Sequence, residues 1–212
     1  MYFEDLLAAN DFTQRIGLPG IQLSKSHQNS CLQDESFFLG LGKLLKIDEL
    51  SELVANCNIV SQVVCEAINT ELGCKAYLTI GDVTFSGKPF FDVNEAYMEN
   101  LVAAGKGSQR AQSYRHHAWV TLETMEIIDF TLNTSMALLS KDLSPETRSK
   151  MLGGVLSGYA DCLTGGVRYH PVLIGEDFYN NYDSIYPHLK SIYKGSLDKK
   201  TKTESVFVRS DI

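Results

Sequence analysis

Cys57, His117 and Asp129 supply a thiol, an imidazole and a carboxylate, in an order that could build one reactive site. A thiol attacks an amide or ester carbonyl only as its thiolate, so it needs surroundings that favour ionisation. The start of a helix offers them, through N–H groups without intrahelical partners and the positive end of the helix dipole. Asn56 reads as an N-cap, which puts Cys57 at the first helical position. Four other cysteines compete: Cys31, Cys65, Cys74 and Cys162. Cys65 lies a little over two turns along the same helix, where the dipole no longer helps, and its neighbours Val63, Val64 and Ile68 suggest packing. Cys74 follows the helix, while Cys31 and Cys162 have no local activating context. Position alone therefore selects Cys57, a preference that fails if residues 47–72 form one unbroken helix.

His117-Ala118-Trp119-Val120-Thr121 and Met125–Phe130 read as the two strands of a β-hairpin. A three-residue loop at Leu122-Glu123-Thr124 sets His117 directly opposite Asp129, with Cβ atoms about 4.5–5.5 Å apart. The carboxylate then accepts from one ring nitrogen and leaves the other for the thiol. A slip of one residue would send the two side chains to opposite faces, and His116 is expected to point away. Blander roles stand beside these: Cys57 as a small core residue, His117 as a satisfied core histidine, Asp129 as a turn cap. Trp119 suits a core or site-wall position better than a substrate reader. For an oxyanion, the backbone N–H of Cys57 is one candidate donor, and the side chains of Asn56 and Gln62 are others.

The elements that must hold these groups are readable from periodicity. Ile59, Val60, Val63, Val64, Ala67, Ile68 and Leu72 recur in pairs every four residues, one buried helix face, with Gly73 as a stop. Ala76–Phe85 alternates as a strand through Tyr77, Thr79, Gly81, Val83 and Phe85. Residues 86–115 are polar and glycine-bearing around a helix from about Val93 to Ala104, and a connection of that length is the expected substrate-facing loop. Ser144 caps a helix that opens at Pro145. The Gly165-Gly166 turn introduces a strand over Val167–Ile174. Helical spacing also marks Phe37–Ala55, and Tyr179–Tyr193 is aromatic-rich with a break at Pro187. The sum is α+β: N-terminal helices packed on an antiparallel sheet. The chain reads as one domain, with a helical and loop region over 1–46, a core over 47–135 and a helical region and tail over 136–212.

Composition excludes several classes. The chain has 212 residues, 44% apolar and 21% charged, ordinary values for a globular protein able to bury a core. A net charge of −7 without basic blocks argues against nucleic acid as a partner. Lys199, Lys200 and Lys202 read as a solvated tail. The cysteines contain no Cys-x-x-Cys and the histidines no His-x-x-x-His, so no metal site is expected, and neither is a disulfide framework. The start, Met1-Tyr2-Phe3-Glu4-Asp5, lacks the features of a signal peptide, and no stretch is long enough to span a bilayer. A cytoplasmic location with reduced thiols and no membrane partner is the expectation, although export without a cleavable signal peptide leaves little visible trace.

A Cys at a helix start, Gly73 closing that helix, the strand Ala76-Tyr77-Leu78-Thr79-Ile80-Gly81-Asp82-Val83, then His117-Ala118-Trp119 and Ile128-Asp129-Phe130-Thr131 together resemble the transglutaminase-like cysteine enzymes. The resemblance covers about residues 50–135. It implies a papain-like core, with Cys57 as nucleophile, His117 as general base and then acid, and Asp129 as the orienting carboxylate. It implies a protein or peptide substrate and no cofactor: an amide is cleaved, deamidated or cross-linked through a thioester. The chain departs from the family pattern at Asn56, where glycine or a small residue is common before the Cys. Lys75-Ala76-Tyr77 likewise replaces a common Pro-Ala-Arg. Arylamine-type acyl transfer by the same triad, or a binding module on the same fold, are the rival readings.

Overall fold

The computed structural model describes residues 1–24, 30, 32, 37, 41, 53, 54, 56–104, 115–141 and 143–182. Most of the expected helix over Phe37–Ala55, most of the aromatic stretch to Tyr193 and the lysine tail lie outside those residues. So do Cys31, His27, His188 and residues 105–114 of the long connection.

Helix α1 spans Tyr2–Arg15 and α2 spans Cys57–Glu71. Strand β1 (Ala76–Phe85) turns at Ser86-Gly87 into the short β2 (Lys88–Pro89), and α3 (Glu95–Ala104) follows. Strands β3 (His117–Leu122) and β4 (Glu126–Asp129) form the expected hairpin. Helix α4 (Leu132–Leu139), α5 (Pro145–Met151), β5 (Leu156–Tyr159), a 3-10 turn, β6 (Val167–Ile174) and α6 (Asp177–Tyr182) complete the described chain.

All pairings in the sheet are antiparallel, in the order β2-β1-β3-β4-β5, with β6 on the other edge of β1. The α+β expectation with an antiparallel sheet is met. Helix α4 and strand β5 were not foreseen, so the expected sequence of helices, strand, hairpin and helices is too simple.

Strand β1 is the spine, paired with β3 over Ala76–Gly81 and with β6 over Thr79–Phe85. Its alternation is real, but both faces are covered and its first eight residues are buried. Leu78 and Ile80 join Ala118, Val120 and Leu122 against Ile59, Val60, Val63, Val64 and Ile68 of α2. Tyr77 and Val83 join Trp119 and Ile127 against Tyr2, Leu6 and Ala9 of α1. Each fully buried aliphatic side chain in these layers contributes roughly 1.5–3 kcal/mol.

Gly81 stands where no side chain fits. A Cβ there would lie 2.0 Å from the His170 carbonyl oxygen and 3.1 Å from Trp119 Cη2. The same glycine is paired with His117, at the point where the pairing of β1 with β6 shifts between Ile80 and Gly81.

Candidate active site

Helix α2 begins at Cys57 with Asn56 in the N-cap position, so no continuous helix runs through residue 56. The Asn56 side chain makes no capping bond; the first turn closes through its carbonyl, which accepts from Val60 N–H at 3.0 Å. The N–H groups of the first turn have no carbonyl inside the helix to bond. Cys57 is partly buried, whereas Cys65 and Cys74 are buried and Cys162 is exposed; all four are free thiols.

His117 and Asp129 meet, but not as directly opposed residues. The pairs Val120–Ile128 and Thr121–Ile127 continue to put Trp119, not His117, across from Asp129. The turn occupies Glu123-Thr124-Met125 and is closed by Met125 N–H donating to the Leu122 carbonyl at 2.8 Å, with Met125 at φ 66°. This corrects the expected Leu122–Thr124 loop by a shift of two in the pairing. Two is the period of a strand, so the shift keeps both side chains on one face as diagonal neighbours. The imidazole spans the diagonal: Nε2 lies 2.6 Å from Asp129 Oδ2.

Asp129 is completely buried and its two oxygens do different work. Oδ2 accepts from His117 Nε2 and from the Tyr169 hydroxyl at 2.8 Å. Oδ1 accepts from Thr131 N–H at 2.9 Å, Thr131 Oγ1 at 3.1 Å and Leu132 N–H at 3.1 Å, which ties the carboxylate to the start of α4. The turn-cap role and the histidine-partner role are therefore both filled, one on each oxygen. Burial alone would raise this carboxyl, but the charge and hydrogen bond of His117 outweigh it and hold Asp129 below the usual carboxylate range.

Burial is also the largest influence on His117 and works against its charged form. The adjacent Asp129 charge and hydrogen bond, helped by a hydrogen bond and charge interaction with Cys57, override it and raise the ring to about 10. With Nε2 held by the carboxylate, Nδ1 is the nitrogen left for the thiol. Phe91 stacks on the ring at 5.0 Å between centroids with planes 3° apart, the flat contact that a charged ring favours. The backbone N–H of Phe91 donates to Asp82 Oδ1 at 2.9 Å, which pins it beside β1.

Trp119 is a wall residue. It stacks near His117, meets Tyr169 with the ring planes tilted by 60°, and its indole N–H donates to the Tyr2 hydroxyl at 2.8 Å. Tyr2 in turn bonds Thr121 Oγ1 at 2.8 Å, so α1 braces the sheet behind the ring.

His116, one residue before β3, takes different partners from His117, as expected. Its Nε2 lies 3.0 Å from the Tyr179 hydroxyl, which donates to Asn58 Oδ1 at 2.6 Å. Cys57 Sγ donates to the same Asn58 oxygen at 3.4 Å. Burial, assisted by the charge on His117, pushes His116 down to about 3, so this ring is neutral. Gln62 is buried, five residues beyond Cys57 and thus about 140° round the helix, which takes it away from the thiol's side. Among the described residues its Nε2 has no hydrogen-bond partner.

Sequence reasoning passed over Asn58, Phe91, Tyr169 and Tyr179. Only Tyr169 carried a local sign, the period-2 burial of Val167 and Tyr169 in β6. Among the described residues no group of three or more His, Cys, Asp or Glu could hold a metal ion, and no helix is long and apolar enough to cross a membrane. No protein-family model matches the chain, and neither the curated proteins nor the solved structures give a match.

Proposed function

We propose that the protein is a cysteine-dependent hydrolase or acyltransferase acting on amide groups of a protein or peptide, built on a transglutaminase-like, papain-like core. The observation that carries this reading is the buried His117–Asp129 pair, with Cys57 among the influences that raise the ring and its thiol at the first position of a 15-residue helix. Apolar groups of the same volume often serve as well as a buried ion pair, although breaking such a pair is costly, and a thiol at one end gives this pair a chemical use.

His117 carries its proton at neutral pH, so it serves first as acid rather than as base. Cys57 ionises against the imidazolium, with its proton passing to water, and the sulfur adds to the amide carbon. The backbone N–H groups at the start of α2 face the developing oxyanion. His117 Nδ1–H then protonates the leaving nitrogen, the C–N bond breaks and a thioester remains. A ring near 10 holds its proton about as tightly as an aliphatic amine, near 10.4 for lysine, so this transfer runs close to level. In the second half, the neutral ring takes a proton from water, giving hydrolysis or deamidation, or from a lysine amine, giving a cross-link. Either way the acyl group leaves the sulfur.

The test is alkylation of Cys57 by iodoacetamide at pH 6.5, followed residue by residue in the mass spectrometer. Cys162 is the fair internal control because it is exposed. Cys57 should react at least tenfold faster than Cys162, and His117→Ala should abolish the advantage. Equal or slower reaction at Cys57 refutes the catalytic reading and leaves His117–Asp129 as a structural pair, as a binding module would have. With glutamine-bearing peptides, a small mass gain on an intact chain marks deamidation, and new termini mark proteolysis.

A further inference from the structure

Strand β1 carries a buried carboxylate that the chemistry above does not use. Gly81 pairs with His117, and the next residue, Asp82, is 6% exposed. Its Oδ1 accepts from Val83 N–H at 2.8 Å and from Phe91 N–H at 2.9 Å. Strand β3 starts at His117, so beyond Gly81 the edge of β1 opposite β6 is taken up by the returning chain. There Pro89 and Lys88 pair with Thr84 and Phe85, and Phe90 N–H donates to the Val83 carbonyl at 2.8 Å. The N–H of Phe91 lies past this ladder, and the Asp82 side chain takes it. Directly afterwards the chain turns through Asp92, at φ 56°.

The ring placed in this way lies flat on His117. The two rings are 5.0 Å apart and 3° from parallel, against 6.1 Å and 23° for Trp119, so the plane of the imidazole follows Phe91. That plane needs holding. The torsion that turns an imidazole is soft, and a hydrogen bond weakens steeply only when bent below about 120° at the hydrogen. The bond to Asp129 therefore fixes Nε2 without fixing the tilt of the ring, and a tilt carries Nδ1 away from its partner in proton transfer. The ion pair also vanishes whenever the ring gives up its Nδ1 proton, whereas a flat aromatic contact persists with the ring charged or neutral.

We propose that Asp82 and Phe91 are positioning residues for His117: the buried carboxylate fixes the backbone of Phe91, and Phe91 fixes the plane in which the imidazole presents Nδ1. The proposal rests on His117 serving Cys57 as described above. Asp82 supplies an acceptor oxygen, which an amide in its place also offers. Phe91 supplies a flat face, which a tyrosine retains and a leucine of similar bulk does not.

Alkylation of Cys57 by iodoacetamide at pH 6.5, measured against Cys162 in each variant, tests the pair, with circular dichroism as the check on folding. Phe91→Leu and Asp82→Ala should each slow Cys57 about tenfold, while Phe91→Tyr and Asp82→Asn stay within about twofold of wild type. The double variant Asp82→Ala/Phe91→Leu should be no slower than the slower single variant, because the two residues act in series. Equal rates for the Leu and Tyr variants, or for the Ala and Asn variants, overturn the proposal. Phe91 is only partly buried, so its Leu and Tyr variants decide the matter if Asp82→Ala does not fold. The nuclear magnetic resonance signals of the His117 ring protons give a readout that needs no thiol. They should lie upfield under the Phe91 ring in the wild type and in Asp82→Asn, and return towards peptide values in Asp82→Ala, which keeps every aromatic residue. Unmoved signals in folded Asp82→Ala overturn the anchor. His117→Ala and the wild-type comparison of Cys57 with Cys162 report on the nucleophile reading alone; failure there with displaced signals in Asp82→Ala removes the nucleophile and supports the hold on the ring.

Discussion

Replacing Asp129 by asparagine exchanges one buried oxygen for an NH2 group at the point where two donors converge. If the amide oxygen keeps the Oδ1 bonds to Thr131 and Leu132, its nitrogen faces His117 Nε2 and the Tyr169 hydroxyl. Tyr169 can become an acceptor, but His117 can do so only by giving up its Nε2 proton. The buried ring then becomes neutral and carries its hydrogen on Nδ1. The size of the effect follows from the ring's rise from 6.5 to about 10. At 1.36 kcal/mol per unit, that rise corresponds to about 5 kcal/mol of native-state stability. Removing one partner of a buried ion pair costs roughly 3–5 kcal/mol, a consistent figure. A group raised in the folded state stabilises fully below its unfolded value, and the contribution is lost as pH climbs through the folded value. The wild-type protein should therefore lose this stability between about pH 6.5 and 10. Asp129, held low, contributes above its ordinary value of 3.8 and stops contributing as pH falls through its lowered value, so both terms are present at pH 6. Urea unfolding of both proteins at pH 6, 7, 8 and 9 measures the difference, and other groups that titrate in this range cancel in the comparison. The stability gap should be about 3–5 kcal/mol at pH 6 and close as pH rises, with a slope approaching about 1.4 kcal/mol per unit. A gap under about 1 kcal/mol at pH 6, or one that does not narrow by pH 9, would falsify the argument.

Two further perturbations probe the frame. His116 is lowered to about 3 by burial and then by the charge on His117, so its contribution is present above 6.5 and lost as pH falls through 3; His116→Phe should move the acid-unfolding midpoint, followed by far-ultraviolet circular dichroism, to lower pH, and an unmoved midpoint would contradict that assignment. Gly81→Ala places a methyl group 2.0 Å from the His170 carbonyl, so β1 and β6 must part, and thermal unfolding should show a loss of about 3 kcal/mol; a wild-type melting temperature would mean the strands are not packed this closely.

Local patterns carried α2, β1, β3 and β6 well, because each has a strong apolar period and a glycine or turn at its end. Gly73, at φ 64°, ends α2 where the apolar spacing stops. Ser144 accepts from Thr147 N–H at 3.1 Å, the cap the sequence offered. Helix α1 was legible and underread: Tyr2, Leu6, Ala9 and Phe12 are spaced four, three and three apart and all are buried. Strand β5 was not legible, since Leu156-Ser157-Gly158-Tyr159 is short and half-exposed, with Gly158 at φ 146°. The hairpin register escaped because the left-handed position is taken by Met125, a residue that gives no turn signal. The thiol, ring and carboxylate could be named from residue type and order. Their supporters could not: Tyr169 is 40 residues from Asp129, and Tyr179 is 63 from His116 and 121 from Asn58. Such contacts are set by how layers stack, and no local spacing records them.

The two-residue displacement in the hairpin has a consequence for how this chain can vary. Diagonal and direct neighbours on one face are both within reach of an imidazole, so a slip of β4 along β3 by two residues leaves ring and carboxylate sharing a side. A slip by one would instead turn Asp129 into the layer held by Val120 and Ile128 beneath α2, stranding a charge among aliphatic groups. The connection after β3 can thereby change in length wherever Val120–Ile128 and Thr121–Ile127 stay paired, and the buried charge itself resists the slip that would separate it from the ring.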